Sequence, residues 1–267
     1  MARERVQPAK ATVQEQKPGT ANSTAERAFE ALMVFSDKQP DWSASELAAH
    51  FSMPRSTMYR YLNTLRGFGL IAEDEHGRYR LGPRILLLGR IARRNSSVLQ
   101  IALPYMNELS EVFNESIILN EKVGHEMMTI EHLESRQRVA IARVGGQLLP
   151  WPAAASAKVL LAFADAREQN ELLGLMTPVK YTSNTIPSHA LLRRALKQIR
   201  EDGYAIGRGE LDAEVRGIAA PIYWRNKCRF ALSVTAPTYR LTEVLQSDIV
   251  AAVRTAANSI TQQLQID

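Results

Sequence analysis

The chain has a single cysteine, Cys228, so it has no means of forming an internal disulfide, and it lacks any cysteine cluster with metal-ligand spacing. That scarcity fits a reducing compartment, and a cytoplasmic location is expected. Long apolar runs are missing too. The longest, such as Val159 to Ala164 and Ile85 to Leu88, fall far short of the roughly 18 residues needed to cross a bilayer, so no membrane partner is expected. Met1 to Gly19 carries charges of both signs and no apolar h-region, which reads as a disordered, solvated tail over residues 1–22 rather than a secretory signal. Aromatic residues make up only 7%, yet hydrophobic residues reach 45% and charged residues 23%. Those proportions exclude global disorder, collagen-like sequence and disulfide scaffolds. A length of 267 residues suits two domains of ordinary size.

Acids are absent from one region in particular. Of the formal charge of +5, residues 1–22 hold +2 and residues 23–95 hold +3, while residues 96–267 balance. Between Leu47 and Ala72 there is no carboxylate, but there are Arg55, Arg60 and Arg66 with Tyr59 and Tyr61. Such a segment lies against phosphate without self-repulsion. A surface helix that merely lacks acids gives the same count, so the pattern of the segment has to decide.

Apolar residues at helical spacing (Ala28, Ala31, Leu32, Phe35) predict a first helix over Ala25 to Phe35, ending at the turn-prone Asp37-Lys38-Gln39-Pro40. Ser43-Ala44-Ser45-Glu46 has the form of a capping box and opens a second helix that runs to about His50. Pro54 suits the first position of a third helix, and the short break between the two is that of a helix-turn-helix. Winding the third helix from Arg55 puts Met58, Tyr61, Leu62 and Leu65 between roughly 240° and 340°, and Arg55, Ser56, Tyr59, Arg60, Asn63 and Arg66 between roughly 0° and 140°. One face is core. The other holds arginines, hydroxyls and an amide, the groups that reach base edges and phosphates. Gly67 and Gly69 stop the helix, and Leu70 to Glu73 with Arg78 to Leu81 alternate as a β-hairpin, or wing, around Asp74-Glu75-His76-Gly77. Arg55, Ser56, Tyr59 and Arg60 are the candidates for reading sequence. Arg66, Arg78 and Arg80 are the candidates for phosphates.

Phe51 to Leu65, with Pro54, Ser56-Thr57, Arg60 and two leucines in place, resembles the recognition-helix motif of the IclR family of bacterial transcriptional regulators. Thr57 joins the candidate DNA-binding set through that resemblance. Tyr79-Arg80-Leu81-Gly82 followed by the apolar Ile85 to Ile91 resembles the family's domain junction. Leu149-Pro150, Ala154 to Lys158, Gly203-Tyr204, Ile218-Ala219-Ala220-Pro221 and Leu232-Ser233-Val234-Thr235 resemble its effector domain. The likeness spans roughly residues 25–265. It implies an α+β protein divided into a winged helix-turn-helix domain (23–82), a linker helix (83–96) and a GAF-like effector-binding domain (97–267). It also implies an operator in double-stranded DNA, a small organic acid as effector, a homodimer or homotetramer, and control of a catabolic operon. No cofactor and no metal are expected.

Independently of family, the pattern after residue 96 is mixed α and β. Helices are predicted over Val98 to Asn114, Ala153 to Ala164, Arg167 to Leu175, His189 to Asp202 and Thr242 to Leu264. Strands are predicted over Ser116 to Lys122, Glu126 to Leu133, Arg138 to Val144, Tyr204 to Arg208, Val215 to Tyr223 and Arg229 to Ala236. The resemblance puts the effector in the concave sheet under the loop before Ala153, among Trp151, Ala154, Ser156, Ala157, Gly217, Ser233 and Thr235. The family loop carries a hydroxyl and a glycine where this chain has Ala154 and Ala157, and Gly207 and Gly217 replace an acid and a cysteine. Those departures exchange polar lining for apolar contact or empty volume. They favour an aromatic or longer acid, and Arg216-Gly217-Ile218-Ala219-Ala220-Pro221 resembles the branch that senses aromatic acids.

No catalytic residue is assigned. The five histidines show no HExxH spacing, no nucleophile elbow is present, and Gly207-x-Gly209 lacks the third glycine of a dinucleotide loop. Lys158 reads as a snorkelling cap or a salt-bridge partner. Two other readings stay open at this point: a ligand-independent DNA-binding oligomer, and an enzyme built on the α+β domain with the basic N-terminal domain as a targeting module.

Overall fold

The most local instruction in the chain is the string Ser43 to Glu46, and the fold obeys it. In a computed structural model, which describes residues 24–139, 141, 146, 148–176 and 179–266, Ser43 is the N-cap of a helix. Its hydroxyl accepts from the Glu46 amide, and the Glu46 carboxylate accepts from the Ser43 amide at 2.7 Å. That last bond is the main reason the Glu46 carboxyl sits below the usual carboxylate range. The chain divides into two units between Ser96 and Ser97.

In the first unit, α1 (Thr24–Met33), β1 (Asp41–Ser43), α2 (Ala44–His50), α3 (Arg55–Gly67), β2 (Ile71–Glu73), β3 (Arg78–Leu81) and α4 (Pro83–Arg94) follow in order. Leu47, Met58, Leu62, Leu65, Ile71 and Tyr79 close its core. Pro54 stands one position outside α3, as its N-cap, and Ser52 takes the left-handed conformation (φ 50°) that the tight turn between α2 and α3 requires. The wing is a three-stranded sheet in the order β1-β3-β2, because Asp41–Ser43 pairs with Arg78–Arg80. The predicted hairpin is there, with this third strand added. Gly82 ends the wing: its amide donates to the Leu70 carbonyl at 2.7 Å, and a Cβ there would collide with the Gly69 carbonyl. The junction motif therefore needs glycine at this position.

The second unit runs α5 (Ser97–Phe113), β4 (Ser116–Val123), β5 (Glu126–Leu133), β6 (Leu148–Leu149), α6 (Ala155–Ala162), α7 (Ala166–Leu175), α8 (His189–Asp202), β7 (Ala205–Arg208), β8 (Val215–Trp224), β9 (Lys227–Pro237) and α9 (Glu243–Ile266). Its six strands form an antiparallel sheet in the order β6-β5-β4-β9-β8-β7. One face buries Ile117, Leu119, Leu232 and Val234 under α5 and α9, through Met106, Leu109, Ile249, Val253 and Ile260. The other face carries Met127, Ala219 and Ala231 beneath α6, α7 and α8. Strand parity does this sorting. Cys228 is buried in the second cluster, and burial pushes its thiol up to about 12, leaving it without thiolate character at neutral pH. The tail read over 1–22 and most of the strand read over 138–144 lie outside the described residues.

Candidate DNA-binding surface and effector site

The recognition face follows from the burial of α3. Met58, Tyr61, Leu62 and Leu65 are buried, and Arg55, Ser56, Tyr59, Arg60, Asn63 and Arg66 are exposed. Thr57 is half-buried at the margin of that face. Arg55, Ser56, Tyr59 and Arg60 sit in the first two turns and share solvent. The Arg60 guanidinium lies 5.6 Å from the centre of the Tyr61 ring, which steadies it without consuming its hydrogen-bond donors.

The three arginines expected at phosphates fare differently. Arg78 is held by Asp41, at 2.5 Å, and by Glu46, at 3.3 Å, so its guanidinium ties β3 to β1 and to the cap of α2. Arg66 pairs with Glu73 and donates to the Asn63 side chain at 2.9 Å, which also engages Asn63. Arg80 is exposed on the solvent face of the wing. A phosphate must compete with paired carboxylates for Arg66 and Arg78, and at Arg80 only with the weaker pull of Asp74 through charge.

In the second unit the geometry centres on the start of α6. Ser43, Asp165 and Ser188 cap α2, α7 and α8 with side-chain oxygens. Ala154, the N-cap of α6, has no such group. The amides that open α6 therefore lack a side-chain cap among the described residues, an arrangement suited to an anion. The register brings this terminus over two glycines: Gly207 pairs with Gly217, and Gly217 with Thr235. A Cβ on Gly217 would stand 3.5 Å from Thr235 Oγ1 and 3.6 Å from Ala155 Cβ, and one on Gly207 would stand 3.4 Å from the Ala155 amide nitrogen. Methyl-sized space therefore remains at Gly217, walled by the Ala155 methyl group, while Gly207 is more closely set, with Glu210 Oε2 at 3.3 Å from such a Cβ.

Ser156 and Thr235 are buried as residues, and neither hydroxyl is among the fully enclosed polar atoms left without a hydrogen-bond partner. Ser233 is buried on the same face and donates to the Ile118 carbonyl at 3.3 Å. Ala157 is fully buried in α6. The structure thus brings Ala154, Ser156, Gly217 and Thr235 together, with Ser233 two residues before Thr235 on β9. Trp151, three residues before Ala154, packs partly buried against the cluster that contains Ala155 and Ala157, and its indole N–H donates to the His125 carbonyl at 2.8 Å. Sequence reasoning missed the polar partners on this side of β4 and β5: Ser116 opposite Thr235, and Asn120, whose amide donates to Thr129 Oγ1 at 3.0 Å. All three are buried. Ser116 and Asn120 share a strand parity with the apolar Ile118, opposite Ile117 and Leu119, so the string offered only a partial signal of a separate polar face.

Beneath α6, Lys158 forms a buried ion pair with Glu210 and donates to the Ile206 carbonyl at 2.9 Å. The other carboxylate oxygen of Glu210 accepts from the Arg208 amide at 2.5 Å, and the Glu210 carbonyl accepts from Thr185 Oγ1 at 2.7 Å. The salt-bridge reading of Lys158 is the one found. Among the described residues, no group of three or more His, Cys, Asp or Glu side chains is placed to hold a metal, and no helix is long and apolar enough to cross a membrane.

A winged helix-turn-helix with an acid-free recognition face, followed by an antiparallel α+β unit with an uncapped helix over its sheet, defines a DNA-binding regulator with a sensory domain. Comparison with known proteins agrees. Residues 24–75 match the IclR helix-turn-helix domain and residues 92–262 match the bacterial transcriptional regulator IclR C-terminal domain. The chain belongs to the IclR family. It is 32% identical over 222 residues to the transcriptional regulator KdgR of Escherichia coli, covering 82% of this chain and 84% of that one. It is 27% identical over 239 residues to the transcriptional repressor AllR of Salmonella typhimurium, covering 85% and 87%. Among solved structures it resembles an IclR regulator from Alicyclobacillus acidocaldarius (TM-score 0.81, 25% identity, 90% and 98% covered). It also resembles an IclR homologue from Microbacterium hydrocarbonoxydans in complex with 4-hydroxybenzoate (TM-score 0.77, 26% identity, 92% and 100% covered). These relatives are regulators, not enzymes, and both repressors and other regulators occur among them.

Proposed function

We propose that this regulator is switched by a small organic acid whose carboxylate caps α6, and that the acid is aromatic. The observation that carries the first part is the uncapped start of α6, with Ser156 in its first turn and Ala155 packed beside Gly217, the strand neighbour of Thr235. Amides and hydroxyls there supply charge-assisted hydrogen bonds to a carboxylate, and Ser233 adds a third hydroxyl nearby. The aromatic character rests on the likeness to the 4-hydroxybenzoate complex and on the space that Gly217 leaves beside Ala155. Ala157 and Gly217 then act as the small residues that let the helix and the ligand approach the sheet. Trp151, packed against the cluster that contains Ala155 and Ala157 and tied to the His125 carbonyl, is proposed to border the same site.

A thermal-shift screen of organic acids tests the reading, since a ligand bound by the folded state alone raises its stability by about 2.7 kcal/mol at a hundredfold excess over Kd. Aromatic monocarboxylates are expected to shift the transition and glyoxylate or pyruvate to shift it less. Calorimetry on a Ser156→Ala, Thr235→Val variant should show at least a tenfold weaker Kd. Unaltered binding in that variant would sink the site.

On the DNA side, Arg55, Ser56, Tyr59 and Arg60 are proposed to read base edges, with Thr57 and Asn63 at the margin, Arg80 to hold the backbone, and Arg66 and Arg78 to brace the wing. The protein is proposed to act as a homo-oligomer, dimer or tetramer. Helix α4 buries none of its residues, and Leu86, Leu87, Leu88 and Ile91 are 78%, 36%, 48% and 45% exposed, an apolar ridge that a second copy would cover. Sedimentation is expected to give a species of at least twice 29.8 kDa at micromolar concentration, and a stable monomer would exclude it.

A further inference from the structure

Arg66 stands on the recognition helix, yet its guanidinium is turned to the protein. One of its nitrogens pairs with the Glu73 carboxylate on β2, and another donates to Asn63 Oδ1 at 2.9 Å, one turn back along α3. Glu73 is itself set directly across from Tyr79 in the wing, and Tyr79 is buried in the core of the unit. Burial, with the charge and hydrogen bond of Glu73 behind it, holds the Tyr79 phenol above its ordinary value. A line of contacts thus runs from the core through Tyr79, Glu73 and Arg66 to Asn63. An exposed ion pair of this kind stabilises a fold little. Its effect here is to fix where Arg66, and through it Asn63, is aimed.

The chemistry of the two side chains settles which way the amide faces. A guanidinium has donors and no acceptor, so the group of Asn63 turned to Arg66 is its carbonyl oxygen, and Nδ2 with its two N–H donors is left on the other branch. Asn63 is exposed. Wound from Arg55, it falls at roughly 80°, between Tyr59 at roughly 40° and Ser56 at roughly 100°. It is therefore marginal only along the helix, a turn beyond Tyr59, and central across the exposed face. In the major groove guanine, adenine and thymine present acceptors, whereas cytosine presents an amino donor. An amide held with its nitrogen outward suits the first three.

We propose that Asn63 reads a base in the major groove by donating through Nδ2, and that Arg66, braced by Glu73, is the positioning residue that sets this orientation. The inference rests on the DNA-binding reading of this unit. It makes the wing a party to base reading without a base contact of its own, because Glu73 belongs to β2. Without Arg66 the amide turns freely and offers either its oxygen or its nitrogen, so a cytosine is no longer rejected. Arg66 acts in this way on sequence preference, and it leaves the count of neutralised phosphates as it was.

The test uses the full chain and a pool of duplexes with a randomised core of about 20 base pairs, two helical turns, selected by binding and sequenced. The preference at each position is then read with no operator known in advance. Asn63→Ala is expected to flatten one position in each half-site, at which the wild type disfavours cytosine on the contacted strand. Arg66→Ala should weaken the preference at that same position about three- to tenfold, the worth of one hydrogen bond, and leave the others unchanged. Glu73→Ala should act at the same position to a lesser extent. Adding Arg66→Ala to Asn63→Ala should change nothing further there, since one residue acts through the other. The slope of log K against log salt on a random duplex should be the same for Arg66→Ala as for the wild type. A slope shallower by about one would make Arg66 a phosphate ligand and overturn the proposal. So would a wild-type preference for cytosine at that position, an Arg66→Ala effect that persists in the Asn63→Ala background, or a loss spread over every position. A wild type that selects no sequence from the pool would instead overturn the reading of α3 as a recognition helix, whereas selection left intact by Asn63→Ala would remove this proposal alone.

Discussion

Replacing Lys158 by methionine is expected to cost the sensory unit about 3 to 5 kcal/mol, because it strands the Glu210 carboxylate in the interior without its counterion. Both side chains are buried, at 5% and 8% exposure. Lys158 stands on α6 and Glu210 in the loop after β7, so their pair joins the helix that opens the proposed effector site to the chain beside it. The Lys158 bond to the Ile206 carbonyl and the Glu210 bonds to the Arg208 amide and Thr185 fix the same loop from three directions. Urea unfolding followed through Trp151 and Trp224 in a Trp42→Phe background reads this unit by itself. The double variant Lys158→Met, Glu210→Leu should recover most of the loss, since apolar residues of similar volume replace a buried pair at little cost. A single variant within about 1 kcal/mol of wild type would show that water reaches and screens the pair.

What could be read in the chain without a structure was whatever depends on neighbours. The capping box at Ser43 and Glu46 is a contact across three residues and was legible as such. The bounds of β5 and α8, and the apolar side of α3, follow from periodicity over eight to fourteen residues. The strands β1 and β6, of three and two residues, were not legible. They exist because Asp41–Ser43 meets Arg78–Arg80 and Leu148–Leu149 meets Met127–Met128, and so short a segment has no period of its own. Helix α6 is a related case: all eight of its residues are buried, so no polar side marked which way it faces.

The sites divide in the same way. The recognition face of α3 is a property of one helix and was visible in the string from Arg55 to Arg66. Whether an arginine is spent elsewhere depends on residues far along the chain. Arg78 finds Asp41 across 37 residues, and Lys158 finds Glu210 across 52. The resemblance to the IclR family located the start of α6 and the strand with Ser233 and Thr235. It did not reveal that the Ala155 methyl group borders Gly207 and Gly217, nor that Trp151 donates to the His125 carbonyl, because these outcomes are decided by packing between elements.

Loss of the Arg60 side chain is expected to cost about 1 to 3 kcal/mol of discrimination between operator and random DNA, with less effect on binding to random DNA alone. Arg60 is exposed in the second turn of α3, on the face shared with Arg55, Ser56 and Tyr59, and no carboxylate among the described residues holds it, in contrast to Arg66 and Arg78. Its guanidinium offers a planar fork suited to the O6 and N7 acceptors of guanine, and the Tyr61 ring at 5.6 Å restricts its motion, so less entropy is lost on contact. Arg78→Ala makes the contrast sharp. That change frees Asp41 and Glu46 and loosens the wing, so it should lower the thermal stability of the DNA-binding unit while leaving the ratio of specific to non-specific binding near its original value. Competition of a labelled operator against random duplex, at a stated salt concentration, separates the two effects. An Arg60→Ala protein with both affinity and discrimination unchanged would remove Arg60 from the reading face, and loss of discrimination in Arg78→Ala alone would move that face to the wing.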